Sequence, residues 1–113
     1  MPDTRTASEL IADEVTSWPG VEAGPGDRGE FGFYVGGEEI GHLHGDRAAH
    51  FGFPRQLGTE LREQGRVGPH PVNRHSPKLA ARPIASDEDV DEVIALMRIN
   101  YERIVALGGE RQR

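Results

Sequence analysis

The chain of 113 residues contains no cysteine. That absence removes disulfides, thiolate nucleophiles, iron–sulfur clusters and cysteine-based zinc sites together. Lysine is nearly missing too. Lys78 is the only one, and the rest of the positive charge is arginine, a composition expected of a GC-rich prokaryotic genome. There is no run of about 18 apolar residues, so no membrane span is expected. The start, Met1-Pro2-Asp3-Thr4-Arg5, lacks the basic and apolar regions of a signal peptide, and a cytoplasmic location is expected. A formal charge of −6 argues against nucleic acid and anionic membranes as partners, because both attract a basic surface. No GxSxG elbow, phosphate loop or dinucleotide fingerprint occurs, so no flavin or nicotinamide motif is present.

Histidine is concentrated instead of absent. Three of the five histidines fall in the nine residues from His42 to His50, together with Asp46 and Gly45 and directly after Gly41. In an extended segment side chains repeat every two residues, so His42 and His44 share a face. The position of His50 depends on the turn that follows. If Gly45-Asp46-Arg47 is a three-residue loop, His42 faces His50 and all three imidazoles share one side. If the loop is only Gly45-Asp46, His42 faces Ala49 and His50 turns to the opposite side.

Periodicity supplies the frame. Thr6 or Ser8 caps a first helix whose apolar stripe is Ile11, Val15 and Trp18, closed by Pro19-Gly20. A short strand and loop span Val21 to Gly29. Phe31, Phe33 and Val35 alternate along the next strand, and Gly36-Gly37 turns it back into Glu38 to His44. Ala48 to Phe53 completes a meander. Pro54 opens a second helix with Leu57 and Leu61 inside, ending at Gly65. Arg66 to His70 and Leu79 to Ile84 are further strands, separated by a loop with prolines at both ends. Ser86 caps a long final helix whose first turn holds Asp87, Glu88 and Asp89 against the positive end of its dipole. Gly108-Gly109 is expected to stop it. The order describes a single α+β domain over 1–113, an antiparallel β-meander sheet with helices packed on one face and ends frayed over 1–5 and 109–113.

The string Glu39-Ile40-Gly41-His42-Leu43-His44-Gly45-Asp46 resembles the signature of small prokaryotic luciferase-family (luciferase-domain) proteins. Phe53-Pro54-Arg55, Gly65-Arg66, Pro69-His70 and the helical ending from Asp89-Val90 to Arg103 also fit, so the resemblance runs from about Val21 to Leu107. It departs at His50, where an acid is expected, and at Lys78-Leu79, where a Gly-Trp step is expected. The resemblance attaches no mechanism, luciferin or cofactor. It implies a small-molecule or protein binding domain or, as the family name suggests, a metal- or histidine-dependent enzyme of oxidoreductase type acting on a small organic substrate.

Three constellations follow. His42, His44 and His50 could ligate a divalent metal, with Asp46 or His70 completing the set; the alternative is a solvated sheet face. His42, His44 and Asp46 could instead perform acid–base catalysis, with Asp46 or Glu39 fixing a tautomer. Arg74, His75 and His70 could bind an anionic ligand. The expected partner is a small molecule or another protein, and the exposed sheet face suits a homo-oligomer. An enzyme requires the histidines to converge in a concave pocket; a binding module requires a broad patch without that convergence.

Overall fold

A computed structural model describes residues 4–111, with side chains described through residue 108. Helix α1 (Ala7–Val15) starts where Thr6 can accept the Glu9 N–H while the Glu9 carboxylate accepts the Thr6 N–H, a reciprocal capping box. Its buried stripe, Ile11 and Val15, continues to Trp18. Strands β1 (Val21–Pro25), β2 (Phe31–Val35), β3 (Glu38–His44) and β4 (Ala48–Gly52) follow as a meander. Helix α2 (Arg55–Glu63), the two-residue β5 (Gly68–Pro69), β6 (Leu79–Pro83) and helix α3 (Asp87–Arg111) complete the order. The strand expected over Arg66 to His70 thus shrinks to two residues.

All six strands form one antiparallel sheet, ordered β1-β2-β3-β4-β6-β5. Gly36 and Gly37 both have positive φ and form the two-residue turn that pairs Val35 with Glu38. Phe33, Leu43, Ala49, Phe51 and Ala80 point from the strands into a core with Val93, Leu96 and Met97 of α3. The final helix begins as expected, with Ser86 accepting the Asp89 N–H. It does not end at Gly108-Gly109. Gly108 keeps a right-handed backbone, and the helix runs on to Arg111. Glycine costs about 1 kcal/mol against alanine in a helix, which weakens a helix without breaking it. The expected fraying of residues 1–3 and 112–113 lies outside the described residues. Among the described residues, no helix is long and apolar enough to cross a membrane.

One irregularity positions the site. Between β2 and β3 the register shifts at Phe33/Tyr34, so that Tyr34 pairs with Glu39 and Phe33 with Gly41. Ile40 is the extra residue of a β-bulge. Both Ile40 and Gly41 are buried towards the helices. Glu39 and His42, three apart, therefore share the opposite face, which a regular strand would forbid. Asn100 of α3 secures the bulge from below. Fully buried, it donates to the carbonyls of Ile40 at 3.0 Å and Gly52 at 2.9 Å, and its Oδ1 accepts twice from Arg103.

Candidate functional site

The β3–β4 connection resolves the register. His42 pairs with His50, Leu43 with Ala49 and His44 with Ala48, leaving Gly45-Asp46-Arg47 as a three-residue loop. His42, His44 and His50 consequently stand together on the face away from α3. Ring centroids are 5.0 Å apart for His42 and His44, 5.3 Å for His42 and His50, and 4.2 Å for His44 and His50. One nitrogen from each ring lies within 4.8 Å of the other two, close enough together to hold a metal ion. On a tetrahedral ion at the usual zinc–nitrogen distance, two ligating nitrogens are roughly 3.3 Å apart. Ligation of one ion would therefore require the rings to turn about their side-chain bonds and draw these nitrogens closer.

His70 follows β5 and brings a fourth ring against the cluster, 4.5 Å from His50. The histidines line a cleft of about 550 Å³, whose other walls are Tyr34, Val72 and the β1–β2 loop from Gly26 through Arg28, with Glu30. Gly32, opposite His42 in the ladder, gives Tyr34 its place. A Cβ on Gly32 would lie 2.6 Å from the Tyr34 hydroxyl, so the ring lies across this glycine.

Each imidazole has a distinct electrostatic setting. Burial pushes the His50 pKa down to about 4, with further lowering from His44, His70 and His42 and partial opposition from Glu39. The ring is neutral at pH 7. Burial also lowers the His70 pKa, helped by His42 and His44. His42 Nδ1 lies 3.2 Å from Glu39 Oε2. His44 Nε2 is buried and meets no hydrogen-bond partner. Leaving a buried polar nitrogen unpaired costs about 1–3 kcal/mol, which marks it as an atom that lacks its natural partner.

The other expected site residues lie elsewhere. The Asp46 carboxylate accepts the Ser8 N–H at 2.9 Å at the start of α1, and the Ser8 hydroxyl together with this N–H holds its pKa below the usual carboxylate value. Its carboxylate is committed to that helix, and the carboxylate beside an imidazole is Glu39. Arg74 and His75 are exposed on the β5–β6 loop and are not among the residues lining the cleft, whereas His70 is. Sequence reasoning missed Tyr34 as a cleft residue. Its signal was present, since it stands between Phe33 and Val35 on the face that must oppose the core. The loop residues Asp27, Arg28 and Glu30 carry no such signal, because only chain packing brings the β1–β2 turn over the histidines.

Residues 37–100, more than half of the chain, match the family model of the Luciferase domain. The chain belongs to the Luciferase domain family. No curated protein and no solved structure matches it. The Luciferase domain match takes in Glu39, His42, His44, His50 and His70, together with Asn100 beneath the bulge. It leaves out α1, β1, β2 and therefore Tyr34 and the β1–β2 loop, so the cleft combines a histidine wall inside the match with an opposing wall outside it.

Proposed function

We propose that the histidine cleft is a divalent-metal centre at which a small organic molecule binds and reacts. The observation that carries this reading is the convergence of His42, His44 and His50 in a concave cleft, with the buried His44 Nε2 lacking any partner. A broad binding surface would not need such convergence. Metal ions are bound by neutral imidazole, and the depressed pKa of His50 favours that form. The Glu39 carboxylate at His42 Nδ1 supplies the outer support that metal-ligating histidines commonly have. Three protein ligands leave coordination positions open, the arrangement of catalytic rather than structural zinc sites. The cleft volume admits a small organic molecule beside the ion.

Elemental mass spectrometry of the purified, untagged protein tests the reading. Near-stoichiometric zinc, iron, copper or manganese is expected in the parent protein, and its loss in the His42→Ala, His44→Ala double variant. A parent protein that is metal-free and fails to take up added ions would overturn it.

A further inference from the structure

The four imidazoles of the cleft do not hold their hydrogens alike. His42 Nδ1 faces the Glu39 carboxylate, an acceptor, so that nitrogen carries the hydrogen and Nε2 keeps a lone pair. His70 is the reverse. Its Nδ1 accepts the backbone N–H of Val72 at 3.1 Å, so the lone pair lies there and the neutral ring carries its hydrogen on Nε2. Protonating Nδ1 would set one N–H against another. A ring nitrogen that holds a hydrogen cannot ligate a metal ion, but it donates a hydrogen bond. His70 therefore joins the cluster as a donor beside three rings that offer lone pairs.

Charge points to what such a donor meets. Three neutral imidazoles leave both positive charges of a divalent ion uncompensated, and Glu39 behind His42 offsets one of them. A singly charged ligand bound directly to the ion meets the other at the shortest distance, with the Glu30 carboxylate a further negative charge on the loop wall. At the mouth, Asp27 and Arg28 are exposed and of opposite sign, and the Glu30 carboxylate accepts the Arg28 backbone N–H at 3.3 Å. The rim is also partly apolar. Val72, whose N–H orients His70, is 85% exposed at the cleft, and Tyr34 presents an aromatic ring.

We propose that the centre takes a small organic anion bound through oxygen, a carboxylate, enolate or phenolate with an apolar body. Its charge meets the metal ion, and its oxygen accepts from His70 Nε2–H. This assignment rests on the metal centre proposed above. It makes His70 a ligand-positioning residue and not a fourth metal ligand.

Two measurements on the full chain separate this inference from the metal reading. Long-range 1H–15N correlation spectra of the metal-free protein report each histidine's tautomer. Nε2–H is expected for His70 and Nδ1–H for His42; an Nδ1–H pattern for His70 overturns the assignment whatever the metal does. Calorimetry then follows zinc uptake, and the binding of benzoate and neutral benzamide to the zinc-loaded protein. His70→Ala and His70→Gln are expected to bind zinc within about threefold of the parent, since His70 is neither a ligand nor a hydrogen-bond partner of a ligating ring, whose loss would cost about 10–100-fold. Benzoate binding should weaken about tenfold in His70→Ala, the scale of one hydrogen bond to a charged group, and recover in part in His70→Gln, whose amide donates. Benzamide should bind the parent at least about tenfold more weakly than benzoate. Zinc affinity falling in His70→Ala as far as in His42→Ala would make His70 a ligand and sink the proposal. Benzoate binding that ignores His70→Ala, or benzamide that equals benzoate, would also sink it. A parent protein that shows the expected tautomers yet takes no zinc would overturn the metal reading, and the anion centre with it.

Discussion

Strand β3 faces two ways, and its sides obey different rules. Towards the helices it presents Ile40, Gly41 and Leu43, all buried, and a Cβ added to Gly41 would lie 2.8 Å from the Met97 sulfur and 3.0 Å from the Phe51 ring. Towards the cleft it presents Glu39, His42 and His44, half-buried or exposed, with a nitrogen left unpaired. The inner face is satisfied by packing alone. The outer face holds polar groups whose arrangement packing does not require, gathered beside His50, whose protonation is suppressed by burial and by the neighbouring imidazoles. A fold gains little from that outer face, so packing does not account for its arrangement.

Substitutions should separate the faces. The largest effect belongs to the core: Phe33→Ala, at a fully buried position, is expected to lose about 3–5 kcal/mol of stability in urea unfolding. The His42→Ala, His44→Ala double variant should lower zinc affinity more than about 100-fold, beyond the usual range for residues that only support a ligand. Its urea midpoint should change little, since both side chains face the cleft; a midpoint loss matching Phe33→Ala would collapse the distinction between the faces. Asn100→Leu joins them. Removing the donor to Ile40 and Gly52 should cost about 2 kcal/mol, and the freed bulge should no longer align Glu39 with His42, so zinc affinity falls as well. Unchanged zinc affinity in a folded Asn100→Leu protein would show that the bulge does not depend on that helix. Glu39→Gln should leave stability nearly untouched and weaken zinc binding by about tenfold, the lower end of support-shell effects.

The pH dependence of the metal-free protein reports on the cleft alone. His50 titrates near 4 when folded, against an ordinary value of 6.5. Between these values the unfolded chain binds more protons, so stability rises with pH there and is lost as pH falls from about 6.5 through 4. The lowered His70 pKa acts with the same sign. Asp46 and Asp89 also have lowered pKa values, but their contributions are lost only below the usual carboxylate range. Urea midpoints measured from pH 7 to 4 should fall in the parent and fall less in His50→Phe. Parallel curves would remove His50 as the cause.

Much of the frame was legible because it is local. Thr6 and Ser86 announce helix starts through side-chain oxygens that reach only three residues, and Gly36-Gly37 announces a turn through backbone freedom alone. Gly108-Gly109 misled for the same reason, since glycine permits a stop without compelling one. The site was half legible. Alternation placed His42 and His44 together, but His50 stood on either face until the loop length was known. Asp46 looked suited to serve a histidine and instead serves α1, because the hairpin that carries it packs beside Ser8.

The sequence by itself determined the alternation of β3, the helix caps, the hairpin glycines and the absence of thiol chemistry, since each follows from residue type and near neighbours. Only the tertiary structure decided that three imidazoles and His70 meet in one cleft, that Glu39 stands behind His42, and that Tyr34 closes the far side. Those outcomes depend on a bulge held by Asn100 from a helix sixty positions away, on strand register, and on a loop laid over the sheet. Each is set by contacts between distant segments, which residue spacing cannot encode.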